Sequence, residues 1–281
     1  MGRLLFLIKT SFMLMWSVLT LLILVMGVLV TQLVSVAQAD NLITVEQVTS
    51  GNSNSFSIEV DGSDNTVDIS YGGAGNSVSI KQHGDNQYVG YTTAWGSGAG
   101  WGGDLDGDNN NLNVTQTCNQ SPCGGDKFEF HIVGNSNDVD FYQGHRVDAD
   151  GTLHSIDDYE YGGHFTRLDI HGSNNKFLGS QRSNNSGHEH SNITNIYGSN
   201  NDVYTRQESN QDKSINLTIN NSGNDVDIIQ GGGASHSATV SLTGAYSTDL
   251  DLTQYSSTAQ TYTLTQNCQT LSGCSVGVTQ N

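Results

Sequence analysis

Groups able to do chemistry crowd into a few stretches of this sequence. Gly144–His164 carries His145, Asp148, Asp150, His154, Asp157, Asp158, Glu160 and His164, and His188-Glu189-His190 follows in the segment 182–191. Carboxylates and imidazoles at this density can hold Ca²⁺ or a transition metal. Asp148-Ala149-Asp150-Gly151 begins an EF-hand-like loop without completing it, and a solvated acidic loop accounts for the same composition. Metal binding by these loops stays open, and no metal set is assigned. Trp95 and Trp101 sit in the Gly-rich stretch Tyr91–Leu105, where their rings could stack on a carbohydrate or simply fold back on their support. Four cysteines complete the reactive inventory. Cys118 and Cys123 flank one short loop, Cys268 and Cys274 another. In an exported chain this spacing favours two local disulfides over a four-thiolate metal site. There is no Gly-x-Ser-x-Gly, no His-Glu-x-x-His and no phosphate loop, and Asp157 and Asp158 share a loop with no specified cleft. We expect neither catalysis nor a cofactor.

The elements that must carry these loops are repeats. The pattern Gly-x-x-Asn-x-φ-x-φ-x-Gln (φ apolar) is met in full at Gly73–Gln82, Gly107–Gln116 and Gly134–Gln143. Gly172–Gln181 has Gly179 at the second apolar position, Gly198–Gln207 has Thr205 there, and Asn221–Gln230 lacks the leading Gly. A fixed period means stacked copies of one unit. The φ-x-φ-x-Gln part alternates with period two and is a strand. Gly-x-x-Asn is a turn, because Gly and Asn tolerate positive φ. Another alternating strand leads in, as in Phe128–Ile132 and Ile215–Ile219. Each unit is strand–turn–strand. Charged residues fall on the off-beat: Glu59, Asp68, Lys81, Glu129, Asp138, Asp140, Arg167, Lys176, Asp202, Arg206, Asp225, Asp227 and Asp251. That gives each strand one buried and one wet face.

Asn and Gln hold on-beat positions. Alone, a buried amide is costly. Stacked in register at ~4.8 Å, each amide bonds its copies above and below. The ladder residues are Asn76, Asn110, Asn137, Asn175, Asn201 and Asn224, with Gln82, Gln116, Gln143, Gln181, Gln207, Gln230, Gln254, Gln266 and Gln280; the turn glycines are Gly73, Gly107, Gly134, Gly172 and Gly198. The expected fold is all-β, a β-solenoid of about nine two-strand coils with in-register Asn/Gln ladders, spanning residues 40–281. A single Pro and 33 Gly agree with long unbroken stacking and many turns. Long segments nearly all follow the Gln, after Gln116, Gln143, Gln181, Gln207, Gln230 and Gln266, which puts them on one edge of the stack. The loops there are where a monomeric binding protein or adhesin would present its site.

This pattern resembles the curlin repeat, the unit of the amyloid subunits of bacterial curli fibres. That unit reads Ser-x-φ-x-φ-x-Gln-x-Gly-x-x-Asn-x-φ-x-φ-x-Gln. Ser214–Gln230 aligns with it without a gap, with Ile219 at the first Gln and Asn221 at the Gly. The first Gln is usually replaced elsewhere too, by Tyr71, Ile132, Ile170 and Ile196. The resemblance covers about Ile43 to Gln280 and implies a subunit that polymerises with itself, and with other fibre subunits, into a cell-surface fibre outside a bacterium with an outer membrane.

Residues 1–39 read as a signal peptide. Arg3 and Lys9 precede an apolar run from about Phe12 to Val36, and Ala37-Gln38-Ala39 fits a cleavage site. An uncleaved anchor is the other reading of a run long enough to span a bilayer. Curli subunits usually carry a longer leader before the first repeat; here Ile43–Gln47 follows almost at once. After removal of residues 1–39, 8 Lys and Arg face 28 Asp and Glu, a net charge of −20. That argues against a nucleic-acid partner and suits a secreted precursor, free of the membrane once cleaved, whose self-repulsion delays association. Val276–Gln280 lies within one residue of Asn281, and no polar cap is expected over that last coil.

Overall fold

A computed structural model describes residues 32–36, 41–47, 54–90, 103–121, 123–154, 160–183 and 185–281. The targeting run before Gln32, the Ala37-Gln38-Ala39 site, Trp95, Trp101, Asp157 and Asp158 lie outside the described residues.

Two parallel sheets face each other across a thin core. The first holds β1 (Gln32–Val36), β3 (Ser55–Asp61), β5 (Ser77–His83), β8 (Asn111–Thr117), β10 (Asp138–Gln143), β12 (Lys176–Arg182), β14 (Asp202–Glu208), β16 (Asp225–Gly231), β18 (Thr248–Tyr255) and β20 (Cys274–Gln280), in that spatial order. The second runs β2 (Leu42–Gln47), β4 (Thr66–Tyr71), the pair β6 (Tyr88–Val89) and β7 (Gly103–Leu105), then β9 (Lys127–Ile132), β11 (Phe165–Ile170), β13 (His190–Ile196), β15 (Lys213–Ile219), β17 (His236–Gly244) and β19 (Gln260–Cys268). The chain alternates between sheets, so every crossover is itself a strand and the stack is a β-solenoid. Since β6 and β7 share one layer, each of the nine layers of the second sheet is followed by a strand of the first. β1 falls within the segment read as a signal peptide and pairs with the edge of β3.

Parallel sheets usually read as unbroken apolar runs because helices cover both faces. Here the outer faces are wet, so alternation survives. Val139, Phe141, Val226 and Ile228 are fully buried, while their off-beat neighbours Asp138, Asp140, Asp225 and Asp227 point outward. Three charged positions break that simple rule. Glu129 and Asp169 lie on an outer face yet are buried, Asp169 with no solvent exposure, and Lys213 opens β15 in a buried position.

The departures from the motif have packing reasons. Phe128, Phe141 and Phe177 fill the core in a row, with ring centroids 5.2 and 5.9 Å apart. A Cβ on Gly179 would run into the rings of Phe141 and Phe177, so glycine stands where other coils have Val, Ile, Leu, Phe or Thr. Thr205 instead meets a small polar island: Asn192 Nδ2 donates to Thr205 Oγ1 at 2.8 Å, and Thr194 Oγ1 donates to Asn192 Oδ1 at 2.8 Å.

The turns also differ from expectation. The ladder Asn does not carry the positive φ; the residue before it does, at Asn109, Ser136, Asn174 and Asn200. Gly73, Gly107 and Gly134 have positive φ, but Gly172 and Gly198 do not. Those two are glycine because a Cβ would strike the carbonyl oxygen of the coil stacked above, Gly198 and Asn221 respectively.

Gly179→Val should overpack this layer. We expect a loss of about 2 kcal/mol or more in urea unfolding, with partial recovery in the double variant Gly179→Val/Phe141→Val. A neutral single variant contradicts the packing account.

Candidate assembly site

The Gln row lies inside the first sheet. Each Nε2 donates to the Oε1 of the next coil: Gln82 to Gln116 at 2.9 Å, Gln116 to Gln143 at 2.8 Å, Gln143 to Gln181 at 3.1 Å and Gln181 to Gln207 at 2.9 Å. The row continues from Gln207 to Gln230 at 3.0 Å, Gln230 to Gln254 at 2.8 Å and Gln254 to Gln280 at 2.8 Å. The second Nε2 hydrogen reaches across to a carbonyl of the facing sheet, as from Gln116 to Tyr88 O at 3.0 Å and from Gln143 to Lys127 O at 3.1 Å. The row thereby ties coil to coil and sheet to sheet. It starts at Gln82, whose Oε1 is buried without a partner, because β3 offers Val60 at that register.

Gln266 does not join it. It pairs in register with Leu242 in the second sheet, at the position of Ile132, Ile170, Ile196 and Ile219. In a two-strand unit both strands end at a position able to hold Gln, and Gln266 fills the first of them. Its loop therefore lies on the tight-turn edge. Cys118–Cys123 and Cys268–Cys274 both form disulfides with Cα atoms 5.8 Å apart, but on opposite edges rather than as equivalent loops. The strands on either side of the Tyr91–Leu105 stretch, β6 and β7, share one layer of the second sheet, both pairing with β4 and β9.

The Asn row caps the tight turns. The backbone N–H of each Asn donates to the Oδ1 one coil below, from Asn76 onto Asn54 at 2.9 Å through Asn224 onto Asn201 at 2.9 Å. Most Nδ2 groups reach forward to the next turn's glycine carbonyl, as from Asn110 to Gly134 O at 2.8 Å and from Asn175 to Gly198 O at 2.9 Å. Asn54 also belongs to the row, although the repeat pattern does not reach it: Gly51-Asn52-Ser53-Asn54 carries the turn signature but leads to Val60 instead of Gln. A shorter row on the opposite edge, Asn41, Asn65 and Gln87, works the same way.

A further row was not foreseen. Gln87, Asp126, His164, His190, Lys213 and His236 occupy one register position in successive coils, all buried. His164 N–H donates to Asp126 Oδ1 at 3.0 Å, and His190 N–H donates to His164 Nδ1 at 3.2 Å. His164 Nε2 is then the protonated nitrogen, 3.1 Å from Glu160 Oε1. The two imidazoles stack at 4.9 Å. Lys213 Nζ donates to Ser209 Oγ at 3.0 Å, Gln211 O at 3.0 Å and Ala234 O at 2.6 Å. Burial lowers the Lys213 ammonium to about 8 and pushes His190 well below its ordinary value. Burial also raises the Asp126 carboxyl to about 6, against the opposing charge and N–H of His164.

The described part of the acidic loop after Gln143, residues 144–154, is pinned rather than open. Val147 packs on Leu178 and Tyr204, and Tyr204 Oη donates to Val147 O at 2.6 Å. Asp148 is shared by His154 at 2.7 Å, Arg206 at 2.8 Å and Arg146 at 3.2 Å. The hydrogen bond from His154 leads the causes that hold its carboxyl below the ordinary value. With guanidinium groups in its coordination sphere, Asp148 is a poor cation ligand. Asp150 caps its own turn through Thr152 N–H at 2.9 Å.

At the C-terminal end, Tyr262, Leu264, Val276 and Val278 continue the core rows but remain half-buried. Among the described residues no strand pairs with the outer edges of β19 and β20. No family model, curated protein or solved structure matches this chain.

The Asp126 carboxyl gives a pH prediction. Below about pH 4 it is protonated folded and unfolded alike; between about 4 and 6 the folded state alone holds the proton; above 6 the buried charge costs stability. Its contribution is therefore present in acid and lost as pH rises through about 6. Asp126→Asn should gain on the wild type by ~2–3 kcal/mol in urea unfolding between pH 4 and pH 7.5. A gap that stays constant over that range contradicts the assignment.

Proposed function

We propose that this protein is a secreted structural subunit that joins end to end into curli-like amyloid fibres of an extracellular, biofilm-type matrix, its partner being a second copy of itself. The observation that carries the reading is the last coil. Its apolar rows lie half-covered and, among the described residues, no strand pairs with its two outer edges, beside a ladder whose geometry repeats coil after coil. An unpaired edge with a flat apolar row is a template for another strand. The resemblance of the Gly-x-x-Asn-x-φ-x-φ-x-Gln unit to the curlin repeat supports the same reading, and two disulfides suit an oxidising compartment.

Continuing the register past β20 would set Val276, Val278 and Gln280 against Phe56, Ile58 and Val60 of the next copy. The joint is then held by backbone hydrogen bonds and apolar rows, while the Gln row pauses at Val60. Removal of residues 1–39 takes β1 off β3 and bares that edge. Cleavage is thus a precondition of growth, and the product is an extracellular fibre on the surface of an outer-membrane bacterium.

Charge opposes the joint. Asp202, Asp225 and Asp249 align in register on one outer face, with Asp227 beside Asp251. Burial, followed by the neighbouring carboxylates, raises the Asp225 and Asp227 carboxyls. Salt should therefore accelerate assembly, since repulsion between approaching copies is screened within roughly 8–10 Å near physiological ionic strength. Dye-monitored growth that is flat from low to high salt contradicts this.

Electron microscopy of the cleaved chain after prolonged incubation tests the function itself. Fibres are expected, and Val278→Pro should remain β-rich by circular dichroism while losing elongation. A wild type that stays monomeric for days at high concentration favours the other reading, a monomeric binding protein using the loops after Gln143 and Gln181.

A further inference from the structure

On the outer face of the second sheet, His131 of β9 stands beside Asp169 of β11 in register. His171 follows Asp169 by two residues, at the strand end. One potential ligand atom from each of the three lies within 4.8 Å of the others. The imidazoles of His131 and His171 are 5.2 Å apart edge to face, and Tyr197 from the following coil lies 5.1 Å from His171.

The carboxylate of Asp169 is the anomaly. Its side chain has no solvent exposure on a face that is otherwise wet. His171 Nε2 lies 2.7 Å from Oδ1, and no other group gives either carboxylate oxygen a hydrogen bond. A buried carboxylate with so little compensation is costly to keep charged. Burial accordingly raises its carboxyl, with His171, His131 and Arg167 opposing. Of the other outer-face strand carboxylates among the described residues, Glu129 alone is also buried, and it keeps 8% exposure. Here the carboxylate is buried between two imidazoles, His131 of intermediate exposure and His171 exposed.

We propose that His131, Asp169 and His171 form a binding site for a divalent first-row transition ion, with zinc and copper the best-suited members of that class. Two imidazole nitrogens and one carboxylate oxygen match the donor preference of these ions and not that of Ca²⁺ or Mg²⁺, which take oxygen sets. Ligand bonds of ~2.0–2.2 Å place donor atoms up to ~4 Å apart, so small rotations of the two rings close the site. The half-exposed side of His171 leaves room for water as a further ligand. Because His131 and Asp169 come from stacked coils, the ion would clip one coil to the next from outside, independently of the Gln row within and of any fibre joint.

The test is calorimetric titration of the purified protein with ZnCl₂ at pH 7.5. Wild type should bind one zinc ion that His131→Ala, Asp169→Asn and His171→Ala each weaken at least 30-fold, with the double variant His154→Ala/His188→Ala unchanged. Zinc affinity that survives in His131→Ala and His171→Ala, or that vanishes only in His154→Ala/His188→Ala, overturns the site. Should the single variants fail to fold, paramagnetic resonance of the wild type with less than one equivalent of Cu²⁺ decides. Hyperfine structure from two imidazole nitrogens supports the site, and a spectrum of oxygen ligands alone overturns it.

Discussion

Burying a primary amide away from water costs ~1–3 kcal/mol for each group left unpaired, and this chain buries one in the same place in coil after coil. The cost vanishes only when every Gln meets an identical Gln at the strand spacing and finds a carbonyl across the core for its second hydrogen. That requirement fixes the structure. It sets the register of the first sheet from β5 to β20, holds the facing sheet at one distance, and forbids a one-residue slip, which would carry each Gln to the solvent face. The Asn row imposes the same condition on the turns. Between them the two rows leave the chain free to vary only where neither runs.

That freedom explains where the unusual chemistry lies. Connections that leave the Gln strands carry the acidic loop, one disulfide and the residues that begin the buried row of Asp126, His164, His190, Lys213 and His236. The outer faces carry the aligned aspartates and the His131–Asp169–His171 group. None of these disturbs the amide ladders. The solenoid tolerates them because each coil contacts its neighbours alone.

The strands, their inward beat and most ladder members were legible in the sequence, because alternation and a fixed Gly-to-Gln interval depend on local spacing. What was not legible depends on register between coils. Gln266 carries the right residue in the wrong strand, since a two-strand unit ends twice on an equivalent position. Lys213 and Asp126 sit at the junction of loop and strand, where alternation has not begun. His131 and Asp169 are 38 positions apart in the chain and become neighbours through a stacking offset that the intervening loop alone determines. Gly172 looked like a conformational glycine and is a steric one, a distinction that needs the coil above it.

The claim that cooperating amides hold the stack can be tested by a double-mutant cycle on Gln116 and Gln143 in urea. Gln116→Leu strands one Gln82 Nε2 hydrogen and the Gln143 Oε1; Gln143→Leu strands one Gln116 Nε2 hydrogen, while the Gln181 Oε1 keeps the Thr166 hydroxyl as donor. The double variant strands just the Gln82 hydrogen, so one unpaired ladder group replaces three. The account predicts that the double variant loses clearly less than the sum of the singles, by about 1–3 kcal/mol. Strictly additive losses, or single variants as stable as the wild type, would contradict it.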